Sequence, residues 1–177
     1  PGLTLTVPGI GAVTTDNNGQ FVINIAAAVN ISVGQLDGRH HGLIAGATAP
    51  SGSFTVNPGV NTTIQLLTAA ASVAQAAHPT CSYWCDKVNE YSRSILGNSV
   101  QLNAIDAIVP TVNIASTCNA YYTANTINFY SAGGGCSNTA NATVIAHEWG
   151  HGLDDQYGGI SNTTGQGLSE GWGDIIG

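Results

Sequence analysis

Two short patterns restrict the folding of this chain more than any other feature: His147-Glu148-Trp149-Gly150-His151 and Glu170-Gly171-Trp172-Gly173-Asp174. Each places ionisable side chains at i and i+4, which on an α-helix share one face. For these residues to act together, two helices must lie side by side with those faces opposed. The first helix has the signals it needs: Asn138 or Thr139 can cap it, and Val144, Ile145, Trp149 and Leu153 supply an apolar side.

Two imidazoles one helical turn apart reach a single ion, and a catalytic zinc centre takes neutral imidazole nitrogen and carboxylate oxygen while keeping one position for water. His147, His151 and Glu170 are the expected metal ligands. Glu148, on the side of the helix that meets the water, is the expected catalytic general base. Asp174 is placed to accept the free ring N–H of a ligand histidine, with a role as third ligand its weaker alternative. A surface helix carrying two histidines would show the same five residues. In a chain with only ten acidic residues, however, a carboxylate pair at matching spacing behind them argues against coincidence. The longer form of the histidine motif would need Gly at position 154 and a ligand at 157, where this chain has Asp154 and Tyr157. Asp154 and Asp155 are expected to cap or solvate the helix end. The chemistry implied is hydrolysis by metal-activated water, Glu148 taking a proton and passing it to the leaving amine.

These patterns resemble the gluzincin metallopeptidases, the thermolysin- and fungalysin-like enzymes, in which H-E-x-x-H is followed downstream by E-x-x-x-D. Asn119-Ala120-Tyr121-Tyr122, followed by Ile127-Asn128-Phe129-Tyr130, is similar to the edge strand of that family and the strand beside it. The resemblance covers roughly residues 64–177. It implies a zinc-dependent endopeptidase acting on peptide or protein substrates, with Zn2+ as cofactor and substrate backbone added to the edge strand at Asn119 and Ala120. The family also uses a Tyr after the second His and a His in a later helical lobe as oxyanion donors. Tyr157 comes too early to align, and a C-terminal lobe of the same precursor, separately cleaved, is the partner this departure leads us to expect. The rival reading is a non-enzymatic extracellular structural or adhesive module that keeps a protease scaffold. It draws on a surface of Ser, Thr, Asn and Gly, and an intact Glu148 speaks against it.

Only 7% of the residues are charged, against about 25% in ordinary domains, while 43% are apolar, so the chain should fold around a real core. A net charge of −7, with Arg39, Lys87 and Arg93 as its only strong bases, excludes a phosphate-binding face and hence nucleic acid. No apolar run approaches the roughly 18 residues that cross a bilayer, so no membrane partner is expected. The absence of Met and the helical character of the last residues suggest a processed chain or a fragment. Four cysteines, none in C-x-x-C spacing, read as two disulfides of a secreted protein. Of the possible pairings Cys81–Cys85 and Cys118–Cys136 are favoured, with reduced buried thiols as the alternative. Sequons at Asn30, Asn61, Asn141 and Asn162 fit export.

The fold class expected is α+β, with a β-rich segment over residues 1–63 and a zincin catalytic lobe over 64–177. Leu3–Val7 and Phe21–Ile25 read as strands, with Asp16-Asn17-Asn18-Gly19 as the hairpin turn between them. Residues 64–97 read as one or two helices interrupted near His78-Pro79, His78 being structural. Strands are expected at Ile105–Ile114 and Thr126–Tyr130.

Overall fold

The computed structural model describes residues 2–160 and 167–177, so that Asn162 and its sequon lie outside the described residues. The molecule is α+β. Its first sheet is antiparallel, in the order β2-β1-β3-β5, from β1 (Thr4–Val7), β2 (Gly11–Thr14), β3 (Val29–Val33) and β5 (Gly52–Val56). The second is mixed, in the order β4-β6-β8-β7, from β4 (Ala45–Gly46), β6 (Val109–Ile114), β7 (Ala120–Thr123) and β8 (Thr126–Tyr130). Four helices complete the described fold: α1 (Val73–Leu96), α2 (Val100–Ile105), α3 (Ala142–Gln156) and α4 (Leu168–Ile176). None is long and apolar enough to cross a membrane.

The N-terminal hairpin differs from the one expected. β1 turns back through Pro8-Gly9-Ile10 into β2, while Asp16 forms its own turn, accepting the N–H groups of Asn18 and Gln20 at 2.8 and 2.9 Å. Phe21–Ile25 belongs to no strand, although Phe21, Ile23 and Ile25 pack against the core. Period-two alternation specifies which side chains face inward, and says nothing about whether a ladder partner is at hand.

Helix α1 is continuous where an interruption near Pro79 was expected. Its start is built by a capping box, in which the Ser72 hydroxyl accepts the Gln75 N–H and the Gln75 side chain accepts the Ser72 N–H. Pro79 lies inside the helix, where it removes one backbone donor; burial of Ala77, His78, Cys81, Cys85 and Val88 along one face holds the helix together past that gap. His78 is structural, its Nε2 donating to the Ala47 carbonyl at 3.0 Å. The strand expected from Ile105 begins only at Val109, because Ser99 caps α2 and the chain is helical to Ile105.

The boundary expected near residue 63 is crossed by the second sheet, since β4 pairs in parallel with β6, aligning Ala45 with Thr111 and Gly46 with Val112. At Gly46, with φ at +118°, a Cβ would collide with the Val112 carbonyl oxygen, so only glycine allows the strands to approach. Asn113, with φ at +56° in a β6 irregularity, ties the pieces together. Its amide donates to the carbonyls of Ala47 and Ala74 at 2.9 and 2.8 Å, and its carbonyl accepts from Asn138 at 2.8 Å. Residues from both halves share one core, with Ile31, Ile44, Leu102, Ile127, Phe129, Ile145 and Trp149 completely buried.

Cys118 and Cys136 are disulfide-bonded, whereas Cys81 and Cys85 are free and buried, with their sulfurs 4.0 Å apart. The expected second disulfide fails for a geometric reason. One turn of helix holds i and i+4 Cβ atoms about 5–6 Å apart, and a disulfide needs roughly 3.5–4.5 Å. Burial and the hydrogen bond from its neighbour push the Cys85 thiol well above its usual range, with that hydrogen bond the larger cause.

Candidate metal centre

Helix α3 begins at Asn141, whose side chain accepts the Val144 N–H, and not at Asn138 or Thr139. Asn138 instead accepts the Ala140 N–H just ahead of the helix. With the helix in this register Ile145, Trp149 and Leu153 face the core, and His147 and His151 emerge at its edge beside α4. The two helices are locked by the Trp172 indole N–H donating to the Gly150 carbonyl at 2.9 Å.

His147, His151 and Glu170 converge as a group able to hold a metal ion. His147 Nε2 lies 3.0 Å from His151 Nε2 and 3.1 Å from Glu170 Oε2, and the third edge, His151 Nε2 to Glu170 Oε2, is 3.6 Å. The other nitrogen of His147, Nδ1, lies 3.0 Å from Asp174 Oδ1, which is the outer contact expected of Asp174. The imidazoles line a wall, 20% and 13% exposed, while the Glu170 carboxylate is 72% exposed, so the centre opens toward solvent on its α4 side.

Glu148, next to His147 on the same helix, is buried, at 6% exposed. Burial pushes its carboxyl up to about 7; the charge of His147 opposes that rise, Glu170 adds to it, and the Tyr122 backbone N–H opposes it. Burial likewise lowers the pKa of His151, favouring the neutral ring that binds metals. Tyr122 belongs to β7, the edge of the second sheet, and among the described residues β7 pairs only with β8. Ala120 lies on that edge strand opposite Phe129, and Asn119 just precedes it, its carbonyl accepting the Tyr130 N–H at 3.3 Å.

Two contributors, Gly173 and Ser169, had no role assigned from the motifs. A Cβ on Gly173 would sit 2.8 Å from the His147 ring, so the residue before Asp174 has to be glycine for that imidazole to occupy its place. Ser169 Oγ lies 3.1 Å from His151 Nδ1, and its position directly before Glu170 was the available clue. Asp154, inside the last turn of α3, accepts the Ile160 N–H of the segment that follows and also approaches Ser169, while the helix end expected of it is closed by the Tyr157 backbone N–H. Asp155 instead accepts the Tyr122 hydroxyl at 2.6 Å, bracing α3 against β7. The Tyr157 hydroxyl is 3.1 Å from Ser99 Oγ at the start of α2.

In comparison with known proteins, no family model matches the sequence and no curated protein matches it significantly.

Proposed function

We propose that this chain carries the active centre of a zinc-dependent endopeptidase of the gluzincin kind, with His147, His151 and Glu170 as ligands and Glu148 as general base. The observation that carries the reading is the triangle of donor atoms, with edges of 3.0, 3.1 and 3.6 Å. Ligands about 2.0–2.1 Å from a tetrahedral ion lie roughly 3.3 Å from one another, so these atoms already stand at the spacing of three corners of a zinc shell. Two nitrogens and one carboxylate oxygen are also the donor set of catalytic zinc, which leaves a corner for water.

Zinc bound there would supply Lewis-acid polarisation of a carbonyl and a lowered pKa for its water. The remaining work falls to the chain. Asp174 accepts from His147 Nδ1 and so keeps Nε2 unprotonated toward the centre. Glu148, with its carboxyl near 7, accepts a proton from the attacking water and returns it to the leaving amine nitrogen, a task suited to a base poised near neutrality. The edge of β7 offers substrate backbone a ladder partner, which supports extended peptide as the substrate and Asn119-Ala120 as its docking point. The disulfide is compatible with secretion.

The test is zinc content and cleavage of casein or a peptide library by the parent and by Glu148→Gln. Both proteins should bind one equivalent of zinc, and only the parent should cleave, in a chelator-sensitive way. Zinc without such cleavage in the full-length parent would favour a structural module on a protease scaffold.

A further inference from the structure

We propose that Ser169 and Asp154 are positioning residues that set the tautomer of His151, an assignment that rests on the metal-centre reading above. His151 Nδ1 lies 3.1 Å from Ser169 Oγ, and the same hydroxyl lies 3.4 Å from Asp154 Oδ2. Asp154 is itself anchored, because both of its carboxylate oxygens accept the Ile160 N–H, at 2.9 and 3.1 Å.

The direction of this chain follows from what each group can donate. An ionised carboxylate only accepts, so the single hydroxyl proton of Ser169 goes to Asp154, and Ser169 Oγ is left to accept from His151 Nδ1–H. The ring proton is then on Nδ1, and Nε2 turns a bare lone pair toward His147 Nε2 and Glu170. Serine alone would not decide this. A hydroxyl both donates and accepts, and a serine that donated to Nδ1 would leave the proton on Nε2, where it blocks metal binding. Asp154 removes that choice. His147 needs no such intermediary, because Asp174 accepts directly from its Nδ1 at 3.0 Å.

With both rings set this way, two lone pairs and a carboxylate oxygen meet within 3.6 Å with no proton between them. Such a cluster of acceptors is satisfied by a cation. The relay therefore prepares the centre for its ion before the ion arrives, and it spans α3, the segment at Ile160 and the first turn of α4.

The proposal is tested by two measurements on the whole chain. The ring tautomer of His151 is read in the metal-free protein from long-range 1H–15N correlation spectra, and zinc affinity is read by competition with a chromophoric chelator. The parent should show His151 protonated on Nδ1. Ser169→Ala and Asp154→Asn should each move population to the Nε2–H form and weaken zinc binding about 10- to 100-fold, the usual effect of removing an outer partner of a ligand. Asp154→Asn keeps an oxygen for the Ile160 N–H, which separates the relay from simple capping. The double variant should bind no more weakly than the weaker single one, and Ser169→Thr, which keeps the hydroxyl, should behave as the parent. An unchanged tautomer and parental affinity in Ser169→Ala and Asp154→Asn would overturn the proposal. So would a Ser169→Thr variant as impaired as Ser169→Ala. If Asp154→Asn does not fold, the two Ser169 variants carry the test. A parent that binds no zinc overturns the metal-centre reading instead, and the tautomers of the metal-free proteins still decide the relay.

Discussion

On the proposed reading, Glu148 would carry function at the expense of stability. Its carboxyl is held near 7 against an ordinary 4.5, chiefly by burial. Between those two values the folded metal-free protein keeps a proton that the unfolded chain has already released, so stability falls as pH rises through that window and levels off above it. The shift corresponds to roughly 3 kcal/mol at most. Glu148→Gln cannot titrate. In chelator-treated protein the variant should therefore gain on the parent as pH rises from 4.5 to 7, measured by urea denaturation at several pH values. Comparing the two also removes the contribution of His151, whose lowered pKa acts with the opposite sign in both. Parallel stability curves would show that the carboxyl is not buried as described.

Among the secondary-structure elements, α1 decides the cysteine chemistry. It buries Cys81 and Cys85 one turn apart, too far for a bond and too deep for reagents, while the β6–β7 loop and the β8–α3 loop bring Cys118 and Cys136 together. Thiol titration without reductant should find none reactive in the native protein and two in denaturant. Finding none in denaturant would restore the Cys81–Cys85 bridge, and finding four would remove both. The helices of the centre were legible because their signal is local, with apolar residues at helical spacing and a carboxylate pair in register. Their exact starts were not. Asn138, Thr139 and Asn141 are all competent caps, and the choice of Asn141 goes with Asn138 and Thr139 being engaged elsewhere, with Asn113 and with the β8 backbone.

The molecule as a whole is more tightly joined than its composition suggested. Residues ahead of the expected boundary near 63 supply β4, the buried Ile44 and the Ala47 carbonyl that His78 and Asn113 both use. His40 adds a bond to Asp106, which also takes a two-pronged contact from Arg93 at 2.7 and 2.8 Å. A fragment of residues 64–177 leaves the buried His78 Nε2 without its acceptor, at a cost of about 1–3 kcal/mol, takes from Asn113 and Asp106 part of their partners, and removes Ile44 from the core. It should lose the cooperative thermal transition and near-UV circular dichroism of the full chain. A fragment that melts cooperatively with full zinc affinity would show that the halves are independent.

The residue types and spacings already singled out the three side chains that converge and the two helices that bear them, since i, i+4 geometry is a property of the helix alone. They also carried the mixed α+β character and the Thr126–Tyr130 strand. Only the folded chain decided which strand pairs with which, which cysteines bond, and how the ligand rings are oriented. Pairing depends on what lies across the gap, and for that reason Phe21–Ile25 alternates like a strand yet joins no ladder, while two residues at Ala45-Gly46 do. Ring orientation depends on polar atoms brought from other elements, as Ser169 of α4 is to His151 of α3, and no pattern read along one segment contains that information.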